Sequence, residues 1–400
     1  MRHNVRVLFA VCVGYGFCTG LTDFAVPFYL SDHGISFQGI GYIFSASARV
    51  IFLLRLYLAR LSDLVGRKLL YLGSLAVTSL SYLGFPYVRN LFGLAALRTG
   101  ADLSFGVRET MHATALYESR REGYLNLQGK MRGTEMAFTA LGTIVAAYLL
   151  FDYRLAFAVP FVVLAGTLIV LGLWFEEPAE LAVASRARLG LLKLLTTSFP
   201  RQIVLLAVSG VIFGVAISAS HRYVPPLFFE LKFGLPKPVI GQIQVVHILS
   251  HVPALFLVGW LVTRRLRGVF FWTLLVEGVF LALSGCFARR APTLFFWWTH
   301  DIIGAGFWAP IQWALIQRHA RKESRGLDAS VVPAVTALGY ILGPLMAGWL
   351  AGLRSVPFTA LAVSPAAAIS LPIIASGAIM VVAALPLLLL PPDPANGTSP

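Results

Sequence analysis

Charged side chains are scarce in this sequence. Asp, Glu, Lys and Arg make up 12% of the 400 residues, about half of the share that is usual in soluble globular domains. The mean hydropathy is +0.77, and 58% of the residues are hydrophobic. This composition excludes a string of soluble domains and is typical of a chain whose side chains mostly face lipid. About twelve apolar runs approach the roughly 20 residues that a helix needs to cross a bilayer.

Cysteine is also rare, and the three cysteines lie inside apolar runs, at Cys12, Cys18 and Cys286. Their positions exclude a disulfide framework and a cysteine-based metal knuckle. The sequence has no Walker-type phosphate loop, which argues against ATP as the energy source. It has no nucleophile beside a base and no cofactor motif, so it predicts neither an enzyme nor a cofactor. A non-transporting membrane sensor is the alternative of another class, but the soluble appendage that it would need is missing.

Acidic residues are outnumbered by basic ones, which gives a formal net charge of +14. The basic residues do not follow one surface, as nucleic-acid binding would require, but fall in short clusters between apolar runs. With the N-terminus inside, 20 of the 32 Lys and Arg residues lie in inner breaks and 8 in outer breaks. The positive-inside rule then predicts a cell-membrane protein with both termini in the cytoplasm. Its expected partner is membrane lipid, not nucleic acid.

The apolar runs predict twelve spanning helices. The longest break between them, residues 176–201, is mixed in charge and predicts a cytoplasmic linker. It separates an N-terminal six-helix bundle at 1–175 from a C-terminal bundle at 202–391, which a cytoplasmic tail follows at 392–400. The expected spans lie near 7–30, 37–59, 69–88, 91–116, 131–151, 155–175, 202–227, 239–262, 268–287, 293–317, 328–352 and 367–390.

The two halves share landmarks at a nearly constant offset. TALG begins at Thr139 in the fifth span and again at Thr336 in the eleventh, 197 residues later. The breaks at 59–68 and 259–268 correspond at an offset of 200 residues. We therefore expect an all-α membrane protein whose twelve transmembrane helices form two pseudo-symmetric six-helix bundles. Duplicated halves of this kind usually bind substrate near the bilayer midplane.

The break ARLSDLVGRK at 59–68 resembles the signature loop between the second and third helices of the major facilitator superfamily, G-x-L-x-D-x-x-G-R-K. Ala59 replaces the first glycine, and five positions match: Leu61, Asp63, Gly66, Arg67 and Lys68. Length, span number, linker and duplication agree with the family, so the resemblance covers essentially the whole chain. It implies alternating access, with Asp63 locking the two halves through Arg120, Arg121 or the start of the eleventh span.

The eleventh span carries the closing half of a glycine pattern that antiporters of this superfamily place in their fifth helix. Small residues let helices approach closely, so the pattern predicts helix packing first and antiport only second. Its members here are Gly339, Gly343, Pro344 and Gly348.

Charges inside the first half's spans are candidates for function, because an unpaired charge at membrane depth costs several kcal/mol. Arg98 and Asp102 are four residues apart and share one helix face, and Asp23 and Arg49 lie at comparable depth in other spans. The resemblance implies that the first and fourth spans line the cavity. We expect a network of these four residues that loads and releases a proton; a permanent structural ion pair is the alternative. Gating or packing pairs are expected of Arg108, Glu109 and Glu135.

In the second half, His247 and His251 are four residues apart on the eighth span, and His300 and Asp301 lie on the tenth. Two histidines at this spacing can share a metal, but no carboxylate lies near them in sequence, so no metal is predicted. A hydrogen-bonding cavity wall is favoured, and a proton-titrating role is the alternative. The sequence suggests no role for Glu277.

These features predict a secondary active transporter of a small organic solute that works as a monomer. Titratable groups in the cavity helices favour proton coupling, and the span 11 glycines, Arg98 and aromatic residues of the tenth span favour efflux of amphipathic or drug-like compounds. Proton-coupled uptake of an organic anion or sugar is the alternative, because Arg49 and Arg98 could clamp an anionic group.

Overall fold

The computed structural model describes residues 2–65, 67–119, 124–177, 198–261, 265–321, 325–353 and 363–392, and every regular element in these ranges is helical. The chain falls into two compact units, Met1–Ile35 with Ala46–Ser198 and Ser36–Ser45 with Phe199–Pro400. The first six helices are α1 (Arg2–Asp32), α2 (Phe37–Val65), α3 (Arg67–Gly84), α4 (Leu91–Ser119), α5 (Tyr124–Leu149) and α6 (Tyr153–Trp174).

The remaining helices belong to the second unit, which also takes in the first residues of α2. They are α7 (Arg201–His221), α8 (Val224–Phe233), α9 (Lys237–Leu261), α10 (Leu266–Cys286), α11 (Arg290–His319), α12 (Arg325–Ala351), α13 (Pro365–Ala368) and α14 (Leu371–Ala384).

Both units pack their helices in the same pattern. In the first unit α1 lies against α5 and α6, and α3 lies against α4 and α6. In the second unit α7 takes the place of α1 and packs against α12 and α14, while α10 takes the place of α3 and packs against α11 and α14. The duplication that the sequence predicts is therefore present in the packing of each unit.

The repeated TALG segment lies at close helix contacts in both units. A Cβ on Gly142 of α5 would clash with the backbone of Phe17 in α1, and a Cβ on Gly339 of α12 would clash with the backbone of Val211 in α7. Gly339 follows Gly142 by 197 residues, which is the offset of the repeat. Glycine is needed at both positions because the paired helices meet backbone to backbone.

Nine helices among the described residues are long and apolar enough to cross a membrane. The other three expected spans correspond to α4, α5 and α11, which have 29, 26 and 30 residues and carry the polar side chains described below. Together these helices account for the twelve predicted spans.

The seventh span differs from its prediction. It was expected to continue to residue 227, but α7 ends at His221 and a new helix begins at Val224. Pro225 and Pro226 explain the break, because proline lacks the N–H that an internal helix position must donate and disfavours helix in the residue before it. The twelfth span is also divided: α13 and α14 precede a 3₁₀ turn at Leu385–Leu389.

Several sequence predictions fall outside the described residues. They are most of the linker 176–201, the tail beyond residue 392, Gly66, and the expected gating partners Arg120 and Arg121. The domain bounds and the linker therefore stay predictions.

Candidate functional site

The first unit contains an ion cluster centred on Arg98, which we call the arginine triad: Asp23, Arg98 and Asp102. Arg98 lies on α4 and its side chain is 2% exposed. Its Nη2 atom is 3.2 Å from Asp23 Oδ1, on α1, and 2.7 Å from Asp102 Oδ1, one turn further along α4. Its Nε donates a further hydrogen bond to Asp102 Oδ2 at 3.1 Å. Three of the four charged residues expected to form a network are thus brought together.

The two carboxylates of the triad are held differently. Asp102 accepts two hydrogen bonds from Arg98 and a third from Ser47 Oγ at 2.6 Å. Asp23 is joined to Arg98 by one bond, and its side chain is 43% exposed. Ser47, on α2, is a member that sequence reasoning missed, since a single serine in an apolar helix gives no signal of its own. Asp23 is therefore the more exposed carboxylate of the triad, since Asp102 is 16% exposed.

Arg49 was expected to join this network, but it is exposed. The hydrogen bonds and ion pairs of the triad in the described residues involve Asp23, Arg98, Asp102 and Ser47, without Arg49. Its position two residues beyond Ser47 on a helix turns it toward a different face of α2. A role for Arg49 in the network remains a prediction.

The second unit contains a larger cluster, in which four histidines surround one carboxylate. We call it the histidine cluster: His221, His247, His251, His300 and Asp301. Each histidine directs Nε2 at Asp301 Oδ2, at 3.5, 3.0, 2.9 and 3.6 Å in that order. Asp301 and His300 are fully buried, whereas His221 is the most exposed of the four histidines at 17%.

Three helices position the histidine cluster. His247 and His251 lie one turn apart on α9, His300 and Asp301 are adjacent on α11, and His221 is the last residue of α7. The buried Trp297 stacks on His247, with ring centroids 4.7 Å apart, and on His221 at 5.6 Å. Sequence reasoning missed both His221 and Trp297. The proline pair after His221 was the available signal, because it ends α7 where this side chain joins the cluster.

Sequence comparison identifies the family. The sequence matches the Major Facilitator Superfamily over residues 8–236 and 206–400. The chain belongs to this superfamily. No curated protein sequence matches it significantly.

Solved transporter structures share the superfamily fold at low sequence identity. A mutant of the nucleoside transporter NupG aligns with a TM-score of 0.80 and 11% identity, over 96% of this chain and 99% of that one. A bacterial homolog of the human lysosomal transporter Spinster aligns with a TM-score of 0.75 and 12% identity, over 96% and 95%. The human organic anion transporter MFSD10 (TETRAN) aligns with a TM-score of 0.69 and 16% identity, over 96% and 99%. These structures share the fold of the chain, and its membership of the superfamily makes it a membrane transporter and not an enzyme.

The superfamily's signature loop is only partly visible. Gly66 and the side chain of Asp63 lie outside the described residues, so the gating role stays a prediction. The backbone N–H groups of Arg67 and Lys68, at the start of α3, donate to the carboxylate of Glu177 at 2.8 and 2.9 Å. A carboxylate at a helix N-terminus satisfies free N–H groups and complements the helix dipole. Glu177 thus ties the chain after α6 to this loop, a contact that 110 residues of separation hid from sequence reasoning.

The gating or packing pairs expected of Arg108, Glu109 and Glu135 are described by the structure only in part. Glu135 is buried and accepts a hydrogen bond from Arg132, one turn away on α5, at 3.0 Å. The side chains of Arg108 and Glu109 lie outside the described part of the structure.

The glycine pattern of the eleventh expected span lies at close helix contacts of the second unit. A Cβ on Gly343 would meet Ser218 and Val215 of α7, and a Cβ on Gly348 would meet the backbone of Phe37. Pro344 contributes its carbonyl, which accepts a hydrogen bond from the buried Tyr223 hydroxyl at 3.0 Å. These contacts are those of a packing motif.

Glu277, for which the sequence suggested no role, lies on α10 beside α11. It is fully buried, and neither carboxylate oxygen has a hydrogen-bond partner among the described residues. A Cβ on Gly304 of α11 would clash with it, so this glycine provides the space. Gly304 lies three residues after Asp301 on α11, so Glu277 packs against the helix that carries Asp301.

Proposed function

We propose that this protein is a proton-coupled secondary transporter that moves a small organic solute across a cell membrane by alternating access. It would act as a monomer with both termini in the cytoplasm. The observation that carries the proposal is the arginine triad, in which one buried guanidinium serves two carboxylates. One negative charge is left over, and one proton removes it. Because an uncompensated charge at membrane depth costs several kcal/mol, the triad has a physical reason to exchange a proton.

Asp23 is the proton acceptor in this proposal. Asp102 is held by three hydrogen bonds, whereas Asp23 has one bond and the greater exposure, so Asp23 is the more accessible of the two carboxylates. A proton on Asp23 weakens its attraction to Arg98 and changes what the guanidinium can bind. That change links proton loading to the solute and supplies the coupling.

The pairing of Arg98 with Asp23 and Asp102 bears on the class of solute that the protein binds. An anionic solute would have to displace Asp23 from the guanidinium, whereas a neutral or cationic amphipathic compound would not. This favours efflux of amphipathic or drug-like compounds in exchange for protons. Uptake of an organic anion or a sugar is the second candidate, supported by the fold shared with an organic anion transporter; it requires Asp23 to be protonated when the anion binds.

The test begins with a thermal-shift screen of the purified protein against lipophilic cations, nucleosides, sugars and organic anions at two pH values. Solutes that stabilise the protein are then assayed in proteoliposomes for accumulation driven by a pH gradient. We expect Asp23→Asn to abolish accumulation while solute exchange in the absence of a gradient persists. The matched control is Asp152→Asn, which alters an exposed cap of α6 and retains capping ability, because asparagine also caps helices well.

Two outcomes oppose the proposal. Gradient-driven accumulation that survives in both Asp23→Asn and Asp102→Asn would remove the triad from coupling. Absence of solute flux with every stabilising compound would instead favour a non-transporting sensor.

A further inference from the structure

The histidine cluster has the dimensions of a metal site. The Nε2 atoms of His221, His247 and His300 and a carboxylate oxygen of Asp301 all lie within 4.8 Å of one another. The separations of neighbouring atoms are 3.0 Å for His247 to Asp301, 3.1 Å for His221 to His300, and 3.5 and 3.6 Å for His221 and His300 to Asp301. Bonds of about 2.1 Å to a tetrahedral metal place ligand atoms about 3.4 Å apart.

The other ring nitrogens of the three histidines are fixed as donors. Nδ1 of His300 lies 2.7 Å from the Trp297 carbonyl and Nδ1 of His247 lies 3.3 Å from it. A carbonyl oxygen can only accept, so both Nδ1 atoms carry the proton. In a neutral imidazole this leaves an unshared electron pair on Nε2. Backbone carbonyls hold metal-binding histidines in this tautomer in the same way.

His221 reaches the same tautomer through a serine. Its Nδ1 is 2.7 Å from Ser220 Oγ, and Ser220 donates its own hydroxyl proton to the Ala216 carbonyl at 2.8 Å. The serine oxygen must therefore accept from His221 Nδ1. All three Nε2 atoms then present electron pairs to one another and to a carboxylate.

Several buried acceptors around this point have no donor. Within the described residues, Asp301 Oδ1 and both oxygens of the neighbouring Glu277 lack a hydrogen-bond partner. His251 supplies one donor, its Nε2–H at 2.9 Å from Asp301 Oδ2. Buried electron pairs that face one another and the Asp301 carboxylate without a cation between them are unfavourable.

The first unit has a cation at the position that corresponds to the histidine cluster. Asp301 follows Asp102 by 199 residues and His247 follows Ser47 by 200, so Ser47–Asp102 and His247–Asp301 occupy equivalent positions of the repeat. The first unit supplies its own cation at this place, Arg98. The equivalent residue of the second unit, 199 positions later, is the uncharged Trp297.

We propose that the histidine cluster binds one divalent transition-metal ion of the Zn²⁺ class. His221, His247 and His300 would ligate through Nε2 and Asp301 through a carboxylate oxygen, while His251 orients Asp301 by its hydrogen bond. Three imidazoles and one carboxylate suit Zn²⁺, Co²⁺ or Ni²⁺ and are a poor set for Mg²⁺ or Ca²⁺, which prefer oxygen ligands. The site lies within one unit and does not depend on the proposed transport function.

The test is Co²⁺ titration of protein purified in detergent on an affinity tag without histidine and stripped with a chelator. We expect about one Co²⁺ per chain at neutral pH, with the visible absorption of a tetrahedral ion. An equimolar amount of Zn²⁺ should abolish this absorption, and an excess of Mg²⁺ should not change it. Binding is read without any flux, so failure of the transport proposal leaves this result unaffected.

Variants assign the ion to the cluster. His221→Gln and Asp301→Asn should each weaken Co²⁺ binding at least about tenfold, whereas His33→Gln, which alters a histidine of the first unit, should leave it unchanged. His221 is the ligand least buried in the fold, so its variant is expected to fold; the melting temperature of the stripped protein checks this. Absence of tetrahedral Co²⁺ absorption in the wild type, or an unchanged affinity for Co²⁺ in both variants, would overturn the proposal. A cluster that only takes up protons gives the first of these results.

Discussion

At the scale of single residues, the unequal roles of Asp23 and Asp102 can be separated by stability. Asp102→Asn leaves the buried Arg98 with one half-exposed carboxylate, and breaking a buried pair costs about 3 kcal/mol or more. Asp23→Asn removes one bond from a partner that keeps its bidentate pair with Asp102. We expect the melting temperature of purified protein to fall clearly for Asp102→Asn and much less for Asp23→Asn.

Ser47→Ala provides the control for this comparison. It removes one neutral-donor hydrogen bond to Asp102 without changing charge, so its effect should lie between those of the two aspartate variants. If Asp23→Asn lowers the melting temperature as much as Asp102→Asn or more, the unequal roles assigned to the two aspartates are wrong.

Site residues with a local signal in the sequence were the predictable ones. Arg98 and Asp102 share a helix face at a spacing of four, and Asp23 stands out as a charge within an apolar run. His221 could not be found in this way, because it lies 26 residues before His247 and 79 before His300. Only the packing of α7, α9 and α11 turns scattered histidines into one cluster.

At the scale of helices, glycine spacing determines which pairs meet closely. Gly142→Ala and Gly339→Ala place a methyl group against the backbone of the facing helix, where nothing flexible can move aside. We expect each to lower the melting temperature substantially, because overpacking costs about 1–3 kcal/mol. Gly166→Ala is the matched control: its Cβ has open space within 4 Å, so the better helix propensity of alanine should leave the protein as stable or more so. Equal melting temperatures for all three variants would contradict the close packing of α1 against α5 and of α7 against α12.

The start of α3 gives a second prediction at this scale. Glu177→Ala frees the N–H groups of Arg67 and Lys68, and loss of a helix cap costs about 1 kcal/mol. We expect faster amide exchange at the first turn of α3, measured by hydrogen–deuterium exchange with mass spectrometry. Glu176→Ala is the control, because Glu176 bonds Asn4 through its backbone N–H and carbonyl, which the substitution retains. Unchanged exchange in Glu177→Ala would show that the cap does not hold α3.

Helix positions were largely predictable because lipid imposes long apolar runs. Eleven expected spans coincide with single helices or, at the C-terminal end, with α13, α14 and the turn after them. The seventh was misjudged because the run from 202 to 227 is mostly apolar despite His221 and Arg222, and hydropathy does not register the break that Pro225 and Pro226 impose. Close contacts such as that of Glu177 with the start of α3 depend on tertiary packing and could not be predicted from the sequence.

At the scale of the whole molecule, the arginine triad and the histidine cluster lie at equivalent positions of the two repeats but consist of different side chains. Ser47 with Asp102 and His247 with Asp301 occupy equivalent places in the two repeats, and the first helix of each unit adds a further polar residue, Asp23 in α1 and His221 in α7. The first copy carries a fixed cation, Arg98, and the second has the histidines that we propose as metal ligands instead. A transporter built in this way can assign different ligands to its two halves.

The orientation of the whole chain can be tested with a native thiol. Cys12 and Cys18 are buried and Cys286 is exposed; the distribution of basic residues predicts that Cys286, at the end of α10, faces the outside. A membrane-impermeant maleimide should therefore label intact cells that express the protein, and Cys286→Ser should abolish the labelling. Ser198→Cys, added to Cys286→Ser, places the thiol at an exposed position before α7. It should react only after the cells are opened. If the Ser198→Cys variant is labelled in intact cells and the wild-type Cys286 is not, the orientation is reversed and both termini lie outside.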